Sequence, residues 1–268
     1  MSNLQLQWFK GGFELIDSHI HADTRPFEDF ELMAVSGIEG AITCAHDPLE
    51  MTSSDVVMAH FRRLVTVDPE RAARNGLKLY IALGIHPRAI PRDPERVIEK
   101  LPDLLKNPSV VAVGEVGLDS GSEIEKDVFK SQLKVAEELG YPVIVHTPRR
   151  GKADITPQIM DVIDGTIDES MVVVEHVNME VLPELVETEC MLGLTVQPEK
   201  LTPEEAVEIL REYGTERFVL NSDMSSAPSD PLSVPRTVQR MKMEGFSRSD
   251  IRRVSDGNIG DLLKISPI

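Results

Sequence analysis

Cysteine is nearly absent from this chain: there are two among 268 residues. Cys44 and Cys190 stand far apart and belong to no Cys-x-x-Cys pair, which argues against a disulfide framework and a thiolate zinc site. Cys44 reads as a small core residue. Aromatic residues are scarce as well, at 4%, so few rings are available on which the bases of a nucleic-acid strand could stack. No stretch approaches the ~20 apolar residues of a membrane span, and Met1 to Gly12 has no apolar core of signal-peptide length. A soluble, cytoplasmic protein without a membrane partner is expected. Basic charge is in the minority, with 28 Lys and Arg against 45 Asp and Glu and a net charge of −17. That balance argues against a broad basic surface for holding nucleic acid, which needs many cations to neutralise phosphates. A small electropositive cleft remains compatible with it, because bound divalent cations supply positive charge where the chemistry happens.

What is present is a regular alternation. Short β-branched runs are followed by longer amphipathic segments, the pattern of repeated βα units around a parallel sheet. Eight strands are expected: Glu14 to Asp17, Gly40 to Ala45, Lys78 to Gly84, Val110 to Glu115, Pro142 to His146, Met171 to Glu175, Met191 to Val196 and Arg217 to Asn221. Several, such as Val172-Val173-Val174, are apolar at every position, as strands buried on both faces are. Helices are expected over Asp29 to Ser36, Ser53 to Asn75, Asp93 to Lys106, Glu125 to Leu139, Ala153 to Asp164, Glu180 to Glu189, Pro203 to Tyr213 and Pro231 to Glu244. Ser249 to Leu263 suggests a short extra helix pair packed on the barrel. A chain of 268 residues lies near the ~250 typical of one (β/α)8 TIM-type barrel. The fold class is therefore α/β, with residues 1–268 forming one barrel domain.

Barrel enzymes keep their chemistry where strands end, and the strand ends here are unusually polar. Asp17, His19 and His21 follow the first apolar run at a spacing of two, which on a strand puts them on one face. Two imidazoles so placed offer two nitrogens to a divalent metal, although His-x-His alone also fits a pair of surface histidines in a loop. The remaining strands tip the balance. His46, His86, Glu115, His146, His176 and Asp223 each fall at the end of a different strand, so six of the seven histidines sit at strand ends. Only His60 lies in a helical segment, and it is expected to be structural or exposed. Six imidazoles at one rim are hard to explain as core filling, because each would need a partner once desolvated.

The stretches Asp17-Ser18-His19-Ile20-His21, Gly84-Ile85-His86-Pro87, Gly114-Glu115-Val116-Gly117-Leu118-Asp119, Pro142 to Arg149, His176 and Ser222-Asp223 resemble, in order and spacing, the TatD-like metal-dependent hydrolases of the amidohydrolase superfamily. The resemblance runs from the first strand to the eighth. It implies a binuclear site in which His19, His21 and Asp223 hold one cation, His146 and His176 hold the other, and Glu115 bridges them. It further implies that a metal-activated water is the nucleophile, with Asp223 as proton acceptor. Two divalent ions per chain are expected. Zn or Mn is favoured by the imidazole-rich set, with Fe, Co or Mg compatible. The chain departs from TatD-like deoxyribonucleases at Asn221-Ser222-Asp223, where Glu-Thr-Asp is usual, and at Val177-Asn178 and Ser120. These departures fall on substrate-facing loops.

For the substrate, His86 and Arg149 are the expected contacts, Arg149 because a guanidinium can clamp a phosphate or carboxylate bidentately. Arg88 adds a further cation, whereas Arg150 and Lys152 read as solvated loop charges. His46 fits either a rim-capping or a ligand-touching role, and the Ser225-to-Pro231 loop after the eighth strand is placed to border the site. The leading expectation is a metal-dependent phosphodiesterase, with the end of single-stranded DNA as substrate. The alternatives are a hydrolase of a small amide, lactone or phosphoester metabolite on the same site, and a metal-binding scaffold without turnover.

Overall fold

The apolar runs form eight parallel strands joined in sequence order. The computed structural model describes residues 15–265, so the expectations for Met1 to Gly12 and for Glu14 lie outside the described residues. The strands are β1 Leu15–Ile20, β2 Ile38–Cys44, β3 Lys78–Ala82, β4 Val110–Gly117, β5 Val143–His146, β6 Val172–Val174, β7 Met191–Thr195 and β8 Phe218–Asn221. They make one sheet in the order β1-β2-β3-β4-β5-β6-β7-β8, and its two edges meet through an Ile20–Met224 bridge. The expected TIM-type barrel is what forms. The helices α1 Phe27–Val35, α2 Ser54–Thr66, α3 Asp68–Ala73, α4 Pro94–Leu104, α5 Glu123–Leu139, α6 Lys152–Ile163, α7 Leu182–Leu185, α8 Pro203–Tyr213 and α9 Ser233–Met243 alternate with the strands.

Two layers of apolar side chains hold this arrangement. One residue set of the strands packs inside the barrel, including Ile16, Ile42, Tyr80, Ile144, Val173 and Val219. The other, including Ile20, Ile81, Val113, Val145 and Leu220, packs outward with helix residues such as Phe30, Phe61, Phe129 and Met241. Because both faces are covered, the strands read as continuous apolar runs.

Three helical expectations need correction. Ser53 to Asn75 is two helices, because Pro69 cannot continue the hydrogen-bond ladder of α2 and instead occupies the first turn of α3. Glu180 to Glu189 shrinks to the single turn of α7, again with a proline in its first turn. The C-terminal segment is a continuous run instead of a pair: α10 Arg248–Arg252 passes through a π-helical stretch, Arg253–Gly257, into α11 Asn258–Leu263. Ile259 and Leu263 of α11 join the inner core, and the Asn258 amide donates to the carbonyls of Thr215 and Phe218, both at 2.8 Å. That run therefore closes the end of the barrel at which β8 begins. Among the described residues, no helix is long and apolar enough to cross a membrane.

The seam between β1 and β8 is held largely by polar contacts. Asp223 N donates to His19 O at 3.0 Å and His21 N to Met224 O at 2.7 Å. Ser18 Oγ donates to Leu220 O at 3.0 Å. Asp17 Oδ1 accepts from Ser222 N at 3.0 Å and Oδ2 pairs with Ser222 Oγ at 2.6 Å. Asp17→Ala leaves a buried N–H and hydroxyl without their acceptor, and should lower the unfolding free energy by about 1–3 kcal/mol in urea denaturation, with Asp17→Asn recovering part of the loss. An unchanged urea midpoint in Asp17→Ala would show that this contact does not secure the seam.

Candidate metal centre

β4 ends by placing the Glu115 carboxylate, 1% exposed, at the middle of the barrel mouth. Five imidazoles surround it. Oε2 lies 3.4 Å from His19 Nε2, 3.7 Å from His21 Nε2 and 3.6 Å from His86 Nε2. Oε1 lies 2.9 Å from His146 Nδ1 and 3.1 Å from His176 Nε2. Asp223, just past β8, completes the His19 and His21 side, with Oδ1 3.2 Å from His21 Nε2 and 4.0 Å from His19 Nε2. Burial alone would raise the Glu115 and Asp223 pKa values. The charges around them win, His19 and His146 for Glu115 and Lys200 and His176 for Asp223, so both stay well below the usual carboxylate range. Burial holds His86 and His176 well below the usual imidazole range, helped by His146 and Lys200 respectively. His19 differs: against burial, Cys44 and Glu115 hold it well above the usual imidazole range. Since neutral imidazoles and ionised carboxylates are the forms that bind metal, it would give up a proton on binding one.

The surrounding strands aim these groups. The Cys44 carbonyl lies 3.0 Å from His21 Nδ1, and Thr195 Oγ1 lies 2.8 Å from His176 Nδ1. Such contacts on the far ring nitrogen fix the ring's orientation. Glu175 Oε1 lies 3.5 Å from His19 Nδ1, while Oε2 accepts from the Asn221 amide at 2.7 Å. Gly193 is needed beside it, because a Cβ there would fall 1.9 Å from Glu175 Oε2. His176 and Asp223 have φ of 60° and 43°, a left-handed conformation that non-glycine residues adopt only where surrounding structure holds them.

The donors fit a divalent metal. His19 is fully buried, and neither of its ring nitrogens has a hydrogen-bond partner. One nitrogen faces Glu115 and the other faces Glu175, both at 3.4–3.5 Å. A buried imidazole left without hydrogen bonds between two carboxylates is suited to a cation. Ligating atoms lie within 4.8 Å of one another in His19, His21 and Asp223, in His19, Glu115 and His176, and in His86, Glu115 and His146. His86, expected to face substrate, is thus as near the carboxylate as the expected ligands are. Asp17 does not join the group, since its carboxyl is engaged with Ser222, and burial lifts it to about 7.

A cavity of about 510 Å³ opens over this centre. Its wall includes four basic side chains, Arg88, Arg149, Lys152 and Lys200, six carboxylates, Asp47, Glu115, Glu180, Glu199, Glu205 and Asp223, and Ser225, Ser226 and Ala227 of the loop after β8; among the described residues no Phe, Tyr or Trp joins it. Arg88 is bound by Asp47 through two nitrogens, at 2.8 and 3.0 Å. Arg149 reaches the cavity but is half exposed and paired with Glu199 at 3.1 Å. Arg150 is exposed, in keeping with a solvated charge. Lys152 corrects the expectation: it opens α6, is 6% exposed, and donates from Nζ to Thr147 Oγ1. Burial, with Lys200 nearby, brings its pKa down to about 7. Lys200, which carries no signal in the sequence, touches Asp223 Oδ2 and lies 3.2 Å from His176 Nδ1. Asp119, four residues beyond Glu115, has Oδ1 at 3.2 Å from His146 Nε2, a contact that its place in the fourth strand-end motif does not announce.

All seven histidines join in one chain of ring contacts, His60–His46–His21–His19–His176–His146–His86, with neighbouring centroids 4.1–5.6 Å apart. His60 is therefore not an isolated helix residue. It is buried, and it shares Asp23 with His46.

Comparison with known proteins agrees with this geometry. The model of the TatD related DNase family matches residues 16–264. A metal-dependent hydrolase of Methanocaldococcus jannaschii, named as uncharacterized, is 41% identical over 239 residues, which is 88% of this chain and 94% of that protein. The crystal structure of a TatD-like protein from Archaeoglobus fulgidus superposes with a TM-score of 0.80 at 31% identity, covering 93% of this chain and all of the other. A protein of Shigella flexneri named 3'-5' ssDNA/RNA exonuclease TatD is 24% identical over 219 residues, 74% of this chain and 82% of that one. With barrel, polar strand ends and family match in agreement, the chain belongs to the TatD related DNase family and is a metal-dependent hydrolase.

Proposed function

We propose that this chain is a binuclear phosphodiesterase of the TatD type, acting on the end of single-stranded DNA. In this assignment His19, His21 and Asp223 hold one divalent cation, His146 and His176 hold a second, and Glu115 serves both, with Zn or Mn favoured. The observation that carries it is the division of Glu115, whose Oε2 faces His19 and His21 while Oε1 faces His146 and His176. Two cations so held would lower the pKa of a bound water and stabilise charge on the attacked and leaving oxygens.

The chain's own residues do the remaining work. Asp223 is ionised, so its carboxylate can take the proton given up by the attacking water. Lys200 beside Asp223 Oδ2 keeps that oxygen oriented. Arg88, Arg149 and Lys152 place cations around the cavity, where they hold an anionic substrate by charge-assisted hydrogen bonds, and His86 meets it from the end of β3. The exonuclease name carried by the Shigella flexneri relative supports a nucleic-acid end. One observation favours a second reading. Among the described residues no Phe, Tyr or Trp lines the cavity, whose rings are imidazoles; that leaves little aromatic surface for stacking bases, and a small metabolite, a phosphoester, amide or lactone, fits the same centre.

Elemental analysis after metal reconstitution should find about two divalent ions per chain at the centre, falling in Glu115→Ala together with hydrolysis of a generic phosphodiester. Full activity in Glu115→Ala would sink the binuclear assignment. Asp223→Asn should lower kcat by about 10²–10⁴-fold. An oligonucleotide assay on the same samples decides between the two substrate readings: 3'-end shortening supports the nuclease, and its absence with retained phosphodiester turnover supports the small metabolite.

Lys152 yields a pH prediction. Its ammonium is protonated below about 7 and neutral above, so the cavity loses positive charge as pH rises through that value. Inhibition by inorganic phosphate should therefore weaken between about pH 6 and pH 8 in the wild type and change less in Lys152→Met, whose inhibition constant at low pH should be about tenfold higher. Identical profiles for the two proteins would remove Lys152 from anion binding.

A further inference from the structure

A separate convergence of ligating side chains lies behind the His21 wall of the cavity. Asp23 comes from the helical turn after β1, His46 from just past the end of β2, and His60 from α2. Asp23 Oδ1 lies 2.9 Å from His46 Nε2 and Oδ2 lies 3.2 Å from His60 Nε2. The three side chains are 4–6% exposed, and their ligating atoms all fall within 4.8 Å of one another.

Two features set this group apart from an ordinary hydrogen-bonded cluster. First, Asp23 is a buried carboxylate whose ion-pair partners among the described residues are imidazoles alone. The neighbouring guanidinium of Arg63 donates instead to the Asp23 backbone carbonyl, at 2.8 Å, and to Asp68. Buried charge is ordinarily matched by a formal cation or a metal. Second, the turn bearing Asp23 is clamped from outside. Arg71 donates to the carbonyls of Ala22 and Arg25 while Arg63 holds that of Asp23, so the carboxylate is presented in a fixed position. Fixed ligands supported by outer contacts are how metal sites are built.

We propose that Asp23, His46 and His60 bind a further divalent cation, of the class that takes imidazole nitrogen together with carboxylate, Zn2+ foremost. Three protein ligands leave coordination open to water. The His46 ring lies 4.1 Å from that of His21 and His46 itself lines the cavity. The ion would thus stand one side chain away from the Glu115 centre and add positive charge to the wall facing an anionic substrate. The proposal does not rest on the binuclear assignment, because no residue is shared between the two sites.

The test is zinc stoichiometry of the full chain, stripped of metal, dialysed against Zn2+ and measured by elemental analysis. The wild type should hold one Zn2+ more per chain than His60→Gln or Asp23→Asn, and Glu115→Ala should keep that ion while losing zinc from the centre. Equal zinc in wild type and His60→Gln would overturn the proposal, whereas the zinc lost by Glu115→Ala reports on the binuclear centre independently of it. Zinc-edge anomalous diffraction from wild-type crystals gives an answer even where a variant does not fold. A peak about 2.0–2.2 Å from the two imidazoles and Asp23 supports the site; peaks only around Glu115 would show the three residues to be a proton-sharing structural cluster.

Discussion

A carboxylate with almost no access to water organises this molecule. Glu115 stays ionised at 1% exposure because imidazoles approach both of its oxygens. An isolated buried charge would neutralise or unfold its surroundings. The chain must therefore deliver imidazoles to one point from the ends of β1, β3, β5 and β6. A parallel barrel does this directly, since its strands all end on the same face. The cavity shares the acidic balance of the chain: its four basic side chains, Arg88, Arg149, Lys152 and Lys200, stand among six carboxylates, Asp47, Glu115, Glu180, Glu199, Glu205 and Asp223.

The seam between the first and last strands is where stability and chemistry share residues. Asp17 grips Ser222, and the adjacent Asp223 takes a left-handed backbone conformation while its amide bonds to His19. Closing the barrel thereby sets the Asp223 carboxylate against His21 and His19. Glu175, seated against Gly193 and tied to Asn221, supports His19 from beneath. The replacement of the usual acidic residue by Asn221 is accommodated there, because the Asn221 amide donates inward to a buried carboxylate.

Much of this is legible from residue spacing. His19, His21, His86, His146 and His176 can be assigned to one rim because each follows a β-branched run, and strand ends in a βα repeat share a face whatever the details of packing. Lys152 departs from the expectation of a solvated loop charge, whereas His60, expected to be structural or exposed, is buried and paired with Asp23. Neither the loop expected around Lys152 nor the helical segment of His60 announces burial, because a charged or polar residue there looks solvated unless the neighbouring helix or loop is known. Lys152 opens α6 beneath the loop that bears Arg149, and His60 lies on the face of α2 turned toward Asp23. The groups that bury them come from other elements of the barrel. The break at Pro69 is different, since proline seldom sits in a helix interior and the interruption is readable locally.

By itself the sequence determined the βα repeat, the direction of every strand and the end of the barrel at which the histidines gather, because hydrophobic periodicity and strand-end position are local properties of the chain. Only the tertiary structure decided which nitrogen faces which carboxylate oxygen, that Lys152 is buried beside the cavity, and that His46 and His60 close on Asp23. Those facts depend on distances of a few ångströms between residues far apart in the chain, which burial and barrel closure set together and which no spacing along the chain encodes.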